Sequence, residues 1–397
     1  MTKPVALPSI DVAKTAVTLA LIDAAQVVVP CINFAELFAF FTEKLGFSVS
    51  IIYPADSPST AVVIGHGMTV RLEGVADVSM TPTPVTFRLQ CESMAAVASL
   101  VIPTDIRVIF VPKHAPSPTM VALSVPAGKP EFVLSRAADA GDATTVGRAG
   151  MVYRDLIPTR LGGRFVASLI TIVDGGTVPD YVHFHRIIFQ MIFCKSGWVK
   201  VVCEGQGEPF VLLAGDCVLQ PPEIRHRVLE ASAGLQVIEL GCPAVHETLA
   251  DADLRLPTPD LAPKRSFGGQ RFARHVAADA KWQVWRENGK NIRDFEATDM
   301  GIAAATNYLA AVNILRLQAG VSSGEFMTSH EGEILFFFVL AGELSLSVEG
   351  TDTTQAEHHI LRADDSVVIP SGASYTVRAT AKTGKGREGF SLLRVAL

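Results

Sequence analysis

Three histidines and one glutamine have the residue types and the spacing of a metal site. His183 and His185 are two residues apart in an apolar segment that reads as a β-strand. Because side chains alternate between the faces of a strand, both imidazoles are expected on one face. His226 follows a Gly-Asp turn, an apolar run and two prolines, which predicts a second strand ending in a tight turn. We expect these three histidines to bind one metal ion, with the amide oxygen of Gln190 as the fourth ligand.

This ligand set limits both the metal and its charge. Imidazole suits divalent transition metals, so iron, manganese, nickel, cobalt, copper and zinc are all compatible. Neutral imidazoles and a neutral amide leave the ion its full double charge, whereas a carboxylate ligand would lower it by one. The more positive ion favours an anionic substrate such as an enolate, phenolate or carboxylate. On an uninterrupted strand Gln190 and His185 would face opposite ways, so a turn or bulge must bring Gln190 to the site.

Two polar residues share a predicted face with these histidines. Tyr181 lies two residues before His183, and is either a contact for substrate or for a histidine N–H, or a tyrosine on the rim. Glu230 is expected on the face of His226 through the two-residue period. It would serve there as a proton acceptor or as an ion-pair partner.

Other polar residues give weaker indications. Arg164 begins the predicted strand 164–173 and would share a face with Ser168. It is either a ligand for a substrate carboxylate or a surface arginine. His246, His275, His358 and His359 fall in polar loops or linkers and are expected to be solvated.

Bulk composition excludes several classes of protein. The 397 residues are enough for two or three domains, and a net charge of −6 without any Lys/Arg run gives no basic surface for nucleic acid. No apolar stretch is long enough to predict a membrane span. The six cysteines have no Cys-x-x-Cys spacing, which favours reduced thiols in a cytoplasmic protein.

The pattern of elements predicts an α+β unit followed by two all-β barrels. Residues 1–25 are expected to form a tail or a short packing arm, and the α+β unit spans 26–136. Short strands with Gly and Pro turns predict jelly-roll barrels over 149–250 and 268–397. The small, polar stretch 137–148 and the proline-containing stretch 256–264 read as the two linkers.

The two parts of the histidine pattern resemble the two motifs of the cupin superfamily. The family's first motif is Gly-x5-His-x-His-x3,4-Glu-x6-Gly and its second is Gly-x5-Pro-x-Gly-x2-His-x3-Asn. The matching residues here are Gly176, His183, His185, Gln190 and Gly197, then Gly215, Pro221 and His226. Gln190 replaces the family's Glu, Glu223 its Gly and Glu230 its Asn. The resemblance implies a jelly-roll barrel with His183, His185 and His226 as metal ligands.

The stretch 268–397 resembles the same barrel without its metal. Aligned on Gly342 and on Pro370 and Gly372, the four ligand places become Thr328, His330, Leu335 and Tyr375. A single imidazole binds a divalent ion poorly, so this half is expected to be metal-free. The chain thus resembles a bicupin in which only the first barrel binds metal.

The N-terminal part resembles the glyoxalase, or vicinal-oxygen-chelate, fold. Its strand–helix–strand–strand–strand order occurs twice, the second time ending in strands 120–124 and 131–134, and the string from Phe38 to Phe47 is similar to the family's usual helix end. Only Glu73 lies near a metal-ligand place of that family. A structural or dimer-forming unit without metal is therefore expected.

The cupin resemblance implies the leading functional hypothesis. Three-histidine cupins include dioxygenases, so a non-haem Fe(II) dioxygenase acting with O2 on a small anionic, oxygenated substrate is expected. A metal-dependent isomerase or decarboxylase is the alternative enzyme, and a non-catalytic metal- or small-molecule-binding protein is the alternative class. A homodimer through strand edges is plausible on this resemblance.

Overall fold

The structure is a computed structural model that describes residues 26–54, 58–75, 84–91, 94–97, 100–112, 128, 131–139, 144–146, 151–349, 357–381 and 389–397. The described residues form two compact units. One ends at Pro112 and the other begins at Gly128. The proposed tail, residues 1–25, lies outside the described residues.

The N-terminal unit begins with the predicted strand–helix–strand–strand–strand order. Its sheet contains, in spatial order, Val27–Cys31, Met68–Gly74, Thr60–Gly65 and Ser48–Tyr53, and the first two run parallel. The α-helix Phe34–Ala39 continues as the π-helix Phe40–Lys44. Leu37 and Phe41 are fully buried in this unit's apolar core. The helical spacing of apolar residues therefore correctly predicted this element.

The second half of this unit is described in part. Val85–Cys91 and Ile106–Pro112 form a parallel pair, with the α-helix Met94–Val97 between them in sequence. The predicted strand 120–124 lies outside the described residues. The predicted strand 131–134 is wrong as a part of this unit, because Val133–Ser135 joins a sheet of the second barrel instead.

The first barrel consists of two facing antiparallel sheets. The seven strands of the larger sheet are, in spatial order, Ala273–His275, Cys217–Leu219, Phe189–Ser196, Leu235–Cys242, Val166–Ile172, Val152–Asp155 and Thr144–Val146. The smaller sheet contains Phe210–Leu213, Trp198–Cys203, His226–Ala231, His183–Arg186 and Glu247–Ala250, with Gly176–Thr177 paired to His226–Ala231. Gly197, at φ +75°, makes the tight turn between the sheets where a glycine is required.

The second barrel repeats this architecture. Its larger sheet contains, in spatial order, Gln283–Glu287, Lys290–Asp299, Ala311–Leu317, Ser391–Ala396, Leu335–Ala341, Ser366–Ile369 and Val133–Ser135. Its smaller sheet contains Ser323–Ser329, Ser374–Thr380, Glu343–Glu349 and Glu357–Arg362. The hairpin Ser266–Phe267/Gln270–Arg271, the α-helix Ile302–Ala305 and the 3-10 turns Ala137–Asp139, Arg160–Gly163 and Ala277–Asp279 complete the elements.

The two larger sheets pack against each other, so their central strands are buried on both faces. Along Phe189–Ser196 the odd-numbered residues Phe189, Met191 and Phe193 join a core shared with the second barrel, which contributes Phe336 and Phe338. The even-numbered residues of the same strand point into the first barrel. Burial on both faces explains the apolar runs in the strands Phe189–Ser196 and Leu335–Ala341.

Each barrel takes an edge strand from the segment that precedes the other one. Val133–Ser135 pairs with 366–368 of the second barrel, and Ala273–His275 pairs with 217–219 of the first. The strand Thr144–Val146 also joins the first barrel, inside a predicted linker. The predicted barrel starts at 149 and 268 therefore miss this exchange, because strand pairing between distant segments leaves no local pattern.

No helix among the described residues is long and apolar enough to cross a membrane.

Candidate metal centre

The three predicted histidines meet at one end of the first barrel. His183 and His226 lie directly opposite each other on neighbouring antiparallel strands, with ring centroids 4.3 Å apart. The ring of His185 is 5.3 Å from each of them. One nitrogen from each ring lies within 4.8 Å of the others, close enough to share a metal ion. Among the His, Cys, Asp and Glu residues in the described part of the chain, only these three form a group that could hold a metal ion.

Hydrogen bonds fix the orientation of all three rings. His183 Nδ1 donates to the carbonyl oxygen of Tyr181 at 2.8 Å, and His226 Nδ1 donates to that of Ile224 at 3.0 Å. His185 Nδ1 shares a hydrogen bond of 2.9 Å with Thr248 Oγ1. A neutral imidazole that donates from Nδ1 has its basic lone pair on Nε2, the atom that would bind a metal. The donor set therefore fits a divalent metal ion.

Gln190 reaches the site from the facing sheet. The chain leaves the smaller sheet after Arg186 and re-enters in the larger sheet at Phe189, so the predicted turn between His185 and Gln190 is a crossing between sheets. The Gln190 side chain is buried and lines the same cavity as the three histidines. Its Nε2 donates to Glu239 Oε1 at 2.6 Å. A carboxylate only accepts hydrogen bonds, so the Gln190 amide nitrogen must be the atom that faces Glu239. The amide oxygen of Gln190 therefore points away from Glu239.

Glu239 is a functional candidate that the sequence reasoning missed. It lies on Leu235–Cys242 and faces the cavity. Its carboxyl group contacts Gln190, and the buried Asp180 has its Oδ1 3.6 Å from His183 Nδ1. The predicted full double charge of the site included neither of these acidic residues. A single acidic residue at an inward position of an otherwise apolar strand was the available signal.

The three histidines line a cavity of about 460 Å³ inside the first barrel. His246, which was expected to be solvated, also lines it, with its ring 5.4 Å from that of His185. Its Nδ1 donates to the carbonyl oxygen of Pro243 at 3.0 Å. Thr248 and Gln220 are further polar lining residues that the sequence did not indicate.

Of the two polar residues predicted beside the histidines, one lies at the cavity and the other does not. Tyr181 lies at the cavity, 47% exposed, and its ring contacts His183 edge-on at 5.9 Å. Its backbone carbonyl, rather than its hydroxyl, orients that histidine. Glu230 is exposed and is not among the cavity-lining residues. A bulge between Val228 and Glu230 shifts the register there, so the two-residue period from His226 does not extend to Glu230.

Arg164 does not reach the cavity. It lies before the first residue of the strand Val166–Ile172, and its Nη2 contacts Glu333 Oε2 of the second barrel at 3.1 Å. The predicted substrate-binding role is therefore wrong, because the strand begins later than the sequence indicated. Ser168, predicted on the same face, does line the cavity.

Glu223 occupies a backbone position that suits glycine. Its φ of +61° is in the left-handed region, and its N–H donates to the carbonyl oxygen of His185 at 3.0 Å. We expect Glu223→Gly to raise the free energy of unfolding by roughly 0.5–1 kcal/mol, because it removes the strain of a Cβ at positive φ. Urea unfolding monitored by circular dichroism measures this. Glu208→Gly, at a loop position without positive φ, is the matched control; an equal gain there would contradict the strain argument.

The second barrel has lost the metal set at equivalent positions. Thr328 lies opposite Tyr375 as His183 lies opposite His226, which confirms the alignment of the predicted ligand places. His330 is buried, and its Nε2 donates to the carbonyl oxygen of Ile369 at 2.9 Å. Leu335, aligned with Gln190, is apolar and fully buried.

Instead of a ligand set, the second barrel contains a buried ion pair between Arg394 and Glu287. Arg394 lies opposite Phe337 as Glu239 lies opposite Ile192, so the two charged residues are equivalent in the repeat. The Arg394 guanidinium contacts Glu287 Oε1 at 3.3 Å, and both side chains are at most 10% exposed. Burial raises the pKa of the Glu287 carboxyl, and the neighbouring Arg394 opposes that shift. A guanidinium thus carries positive charge in the barrel that lacks the ligand set.

Several solved structures are similar to about two thirds of this chain at low sequence identity. A formate complex of oxalate decarboxylase from Lactobacillus farciminis is 14% identical, with a TM-score of 0.48 over 68% of this chain and 88% of that one. Protein Ylba from E. coli is 14% identical, with a TM-score of 0.45 over 69% and 92%. A B. subtilis oxalate decarboxylase variant is 13% identical, with a TM-score of 0.42 over 68% and 78%. These values are too low to transfer an activity.

The search of curated proteins found no match. A family match covers part of the second barrel, from the strand that contains Asn313 to residue 385, and its description is "Cupin domain". Residues 313–385 of this chain are thus similar in sequence to that family.

Proposed function

We propose that the first barrel binds one divalent metal ion through His183, His185, His226 and Gln190, and that the chain is a metal-dependent enzyme for a small oxygenated organic molecule. The observation that supports this most is the convergence of three oriented imidazoles at one end of a 460 Å³ cavity. A structural zinc site is closed around its ion and would not adjoin such a cavity. Room beside the ligands is what a catalytic metal requires.

The leading reaction is an oxidative cleavage with O2, for which the metal would be Fe(II). When bound, Fe(II) supplies the one-electron chemistry that O2 requires and Lewis acidity toward substrate oxygens. The residues of the chain would hold the substrate beside the histidines and keep water out with the aliphatic cavity wall. Glu239 Oε1 would hold the Gln190 amide in place.

A second candidate is decarboxylation or isomerisation without O2. Glu239 favours it, since a carboxylate lining the cavity can accept or return a proton at Oε2 while Oε1 accepts from Gln190. Here any divalent metal would supply Lewis acidity only. Both candidates place the substrate at the same histidines.

Metal analysis followed by oxygen uptake tests these candidates. We expect about one metal per chain, and O2 consumption when the iron-loaded protein meets members of a panel of diketones, catechols and hydroxybenzoates. An iron-loaded protein that consumes no O2 with any member would contradict the dioxygenase. Release of CO2 or an isomerised product under anaerobic conditions would then support the second candidate. Bound metal with no turnover of either kind would indicate a binding protein.

Direct ligation by Gln190 predicts a metal-binding defect in Gln190→Ala. We expect the affinity for Co(II) to fall by about 10-fold or more, because an inner ligand contributes at least as much as an outer partner. Competition with a chromophoric chelator measures it. Gln220→Ala is the matched control, since Gln220 is a second buried glutamine of the same cavity. Unchanged affinity in Gln190→Ala would show that Gln190 binds no metal.

We also propose that the N-terminal unit is glyoxalase-like and without metal. The order of its first four strands and its helix supports the glyoxalase-like topology. A homodimer and a cytoplasmic location stay predictions from the sequence.

A further inference from the structure

The cavity of the first barrel is arranged in layers that begin at the histidines. The register pairs Gln190 with Gly241 in the first layer, and Ile192 with Glu239 in the next. Ile170 and Val237 pair one layer deeper. Two residues of a strand advance by about 6.6 Å, so the third layer lies about 13 Å from the first along the strands.

The layers differ in polarity. The first two contain most of the polar lining residues, among them the histidines, Gln190, Ser168 and Glu239. Tyr153, which pairs with Ile170, lies in the third layer. The other walls of the deeper layers are aliphatic and are formed by Ile170, Val199, Leu212, Leu235 and Val237. All five side chains are buried, at 1–8% exposure, because they face the barrel interior. One end of the cavity therefore suits metal-binding oxygens and the other suits hydrocarbon.

Volume adds a second restriction. A two-carbon acid such as oxalate would leave most of the 460 Å³ unfilled. A ligand that fills the cavity therefore needs a body in addition to its chelating head.

We propose that the ligand of this site is an oxygen chelator attached to an apolar body, which extends from the histidines into the aliphatic end of the barrel. This inference rests on the proposed metal function and names its substrate class. The head would bind at the histidine layer. The body would contact the deep wall that includes Leu212 and Val237.

Two probes with the same head and different bodies test the inference. Pentane-2,4-dione and 1-phenylbutane-1,3-dione both chelate as monoanions, and only the second has an aromatic body. Each is titrated into the Co(II)-loaded full-length protein, with calorimetry for affinity and the Co(II) absorption bands for chelation; oxalate is the dianionic comparison. Burial of the phenyl group predicts binding at least about 10-fold tighter than that of pentane-2,4-dione.

Variants locate the body in the barrel. Leu212→Phe fills the deep layer and should reduce the advantage of the phenyl compound to less than about 3-fold while leaving pentane-2,4-dione affinity unchanged. Leu213→Phe makes the same change at the neighbouring, 56% exposed position and should preserve the advantage. If Leu212→Phe does not fold, Val237→Leu introduces a smaller obstruction in the same wall.

The outcomes separate this inference from the proposed function. Equal or weaker binding of the phenyl compound, or tighter binding of oxalate than of either dione, overturns the inference while the metal function stands. A protein that takes up no Co(II), or whose absorption bands respond to none of the three probes, overturns the proposed function itself. Tighter binding of the phenyl compound that Leu212→Phe removes and Leu213→Phe retains supports both.

Discussion

His185→Ala is expected to remove the bound metal, whereas His330→Ala should leave the metal content unchanged. The two histidines occupy equivalent places in the two barrels, so they form a matched pair. His185 has two further imidazoles within reach of one ion, and His330 is hydrogen-bonded to the carbonyl oxygen of Ile369 instead. Loss of a direct ligand should weaken metal binding by more than the ~10–100-fold that loss of an outer partner costs.

Metal content after dialysis, measured by mass spectrometry against protein concentration, decides this prediction. The thermal unfolding of both variants is recorded in parallel to show that each is folded. Full metal content in His185→Ala would contradict the proposed centre. Loss of metal in His330→Ala would mean that the second barrel also contributes a site.

Arg394→Ala should produce the largest loss of stability of any substitution considered for the second barrel. It leaves Glu287 buried without its cation, and breaking a buried pair in this way typically costs roughly 3–5 kcal/mol. Arg378→Ala is the control, because Arg378 is 64% exposed where it pairs with Glu325. An exposed pair of that kind contributes about 1 kcal/mol at most. Urea unfolding at pH 7 measures both changes.

The pH dependence of Arg394→Ala follows from the carboxyl group that it leaves behind. Burial already raises the pKa of Glu287, and removal of the guanidinium removes the influence that lowers it. A raised carboxyl pKa means that the folded state binds the proton more readily, so stability falls as pH rises through that pKa. The deficit of the variant should therefore shrink as the pH is lowered toward 4.5, the ordinary value. A deficit that grows on acidification would contradict a role for Glu287.

Local patterns were sufficient to predict the histidine site and the strands that position it. The alternation of His183 and His185 depends only on strand geometry, and the turn before His226 is marked by its own prolines. The same patterns predicted the barrel strands. All of these features are encoded within a few neighbouring residues.

Features that depend on a partner strand could not be predicted in this way. Glu230 was placed by counting along one strand, and a bulge that is visible only against the neighbouring strand reverses that count. Glu239 became a candidate only when strand pairing placed its side chain in the cavity, where it accepts a hydrogen bond from Gln190. Arg164 failed because the strand starts two residues later than its apolar pattern suggested.

The exchanged edge strands make the two barrels a single folding unit. A cut in the linker 256–264 would take Ala273–His275 from the barrel with the histidines and leave Val133–Ser135 attached to the wrong fragment. Each fragment would expose an unpaired sheet edge, which is a template for aggregation. The barrel with the histidines thus depends on the segment before the other barrel for the edge strand that completes its larger sheet.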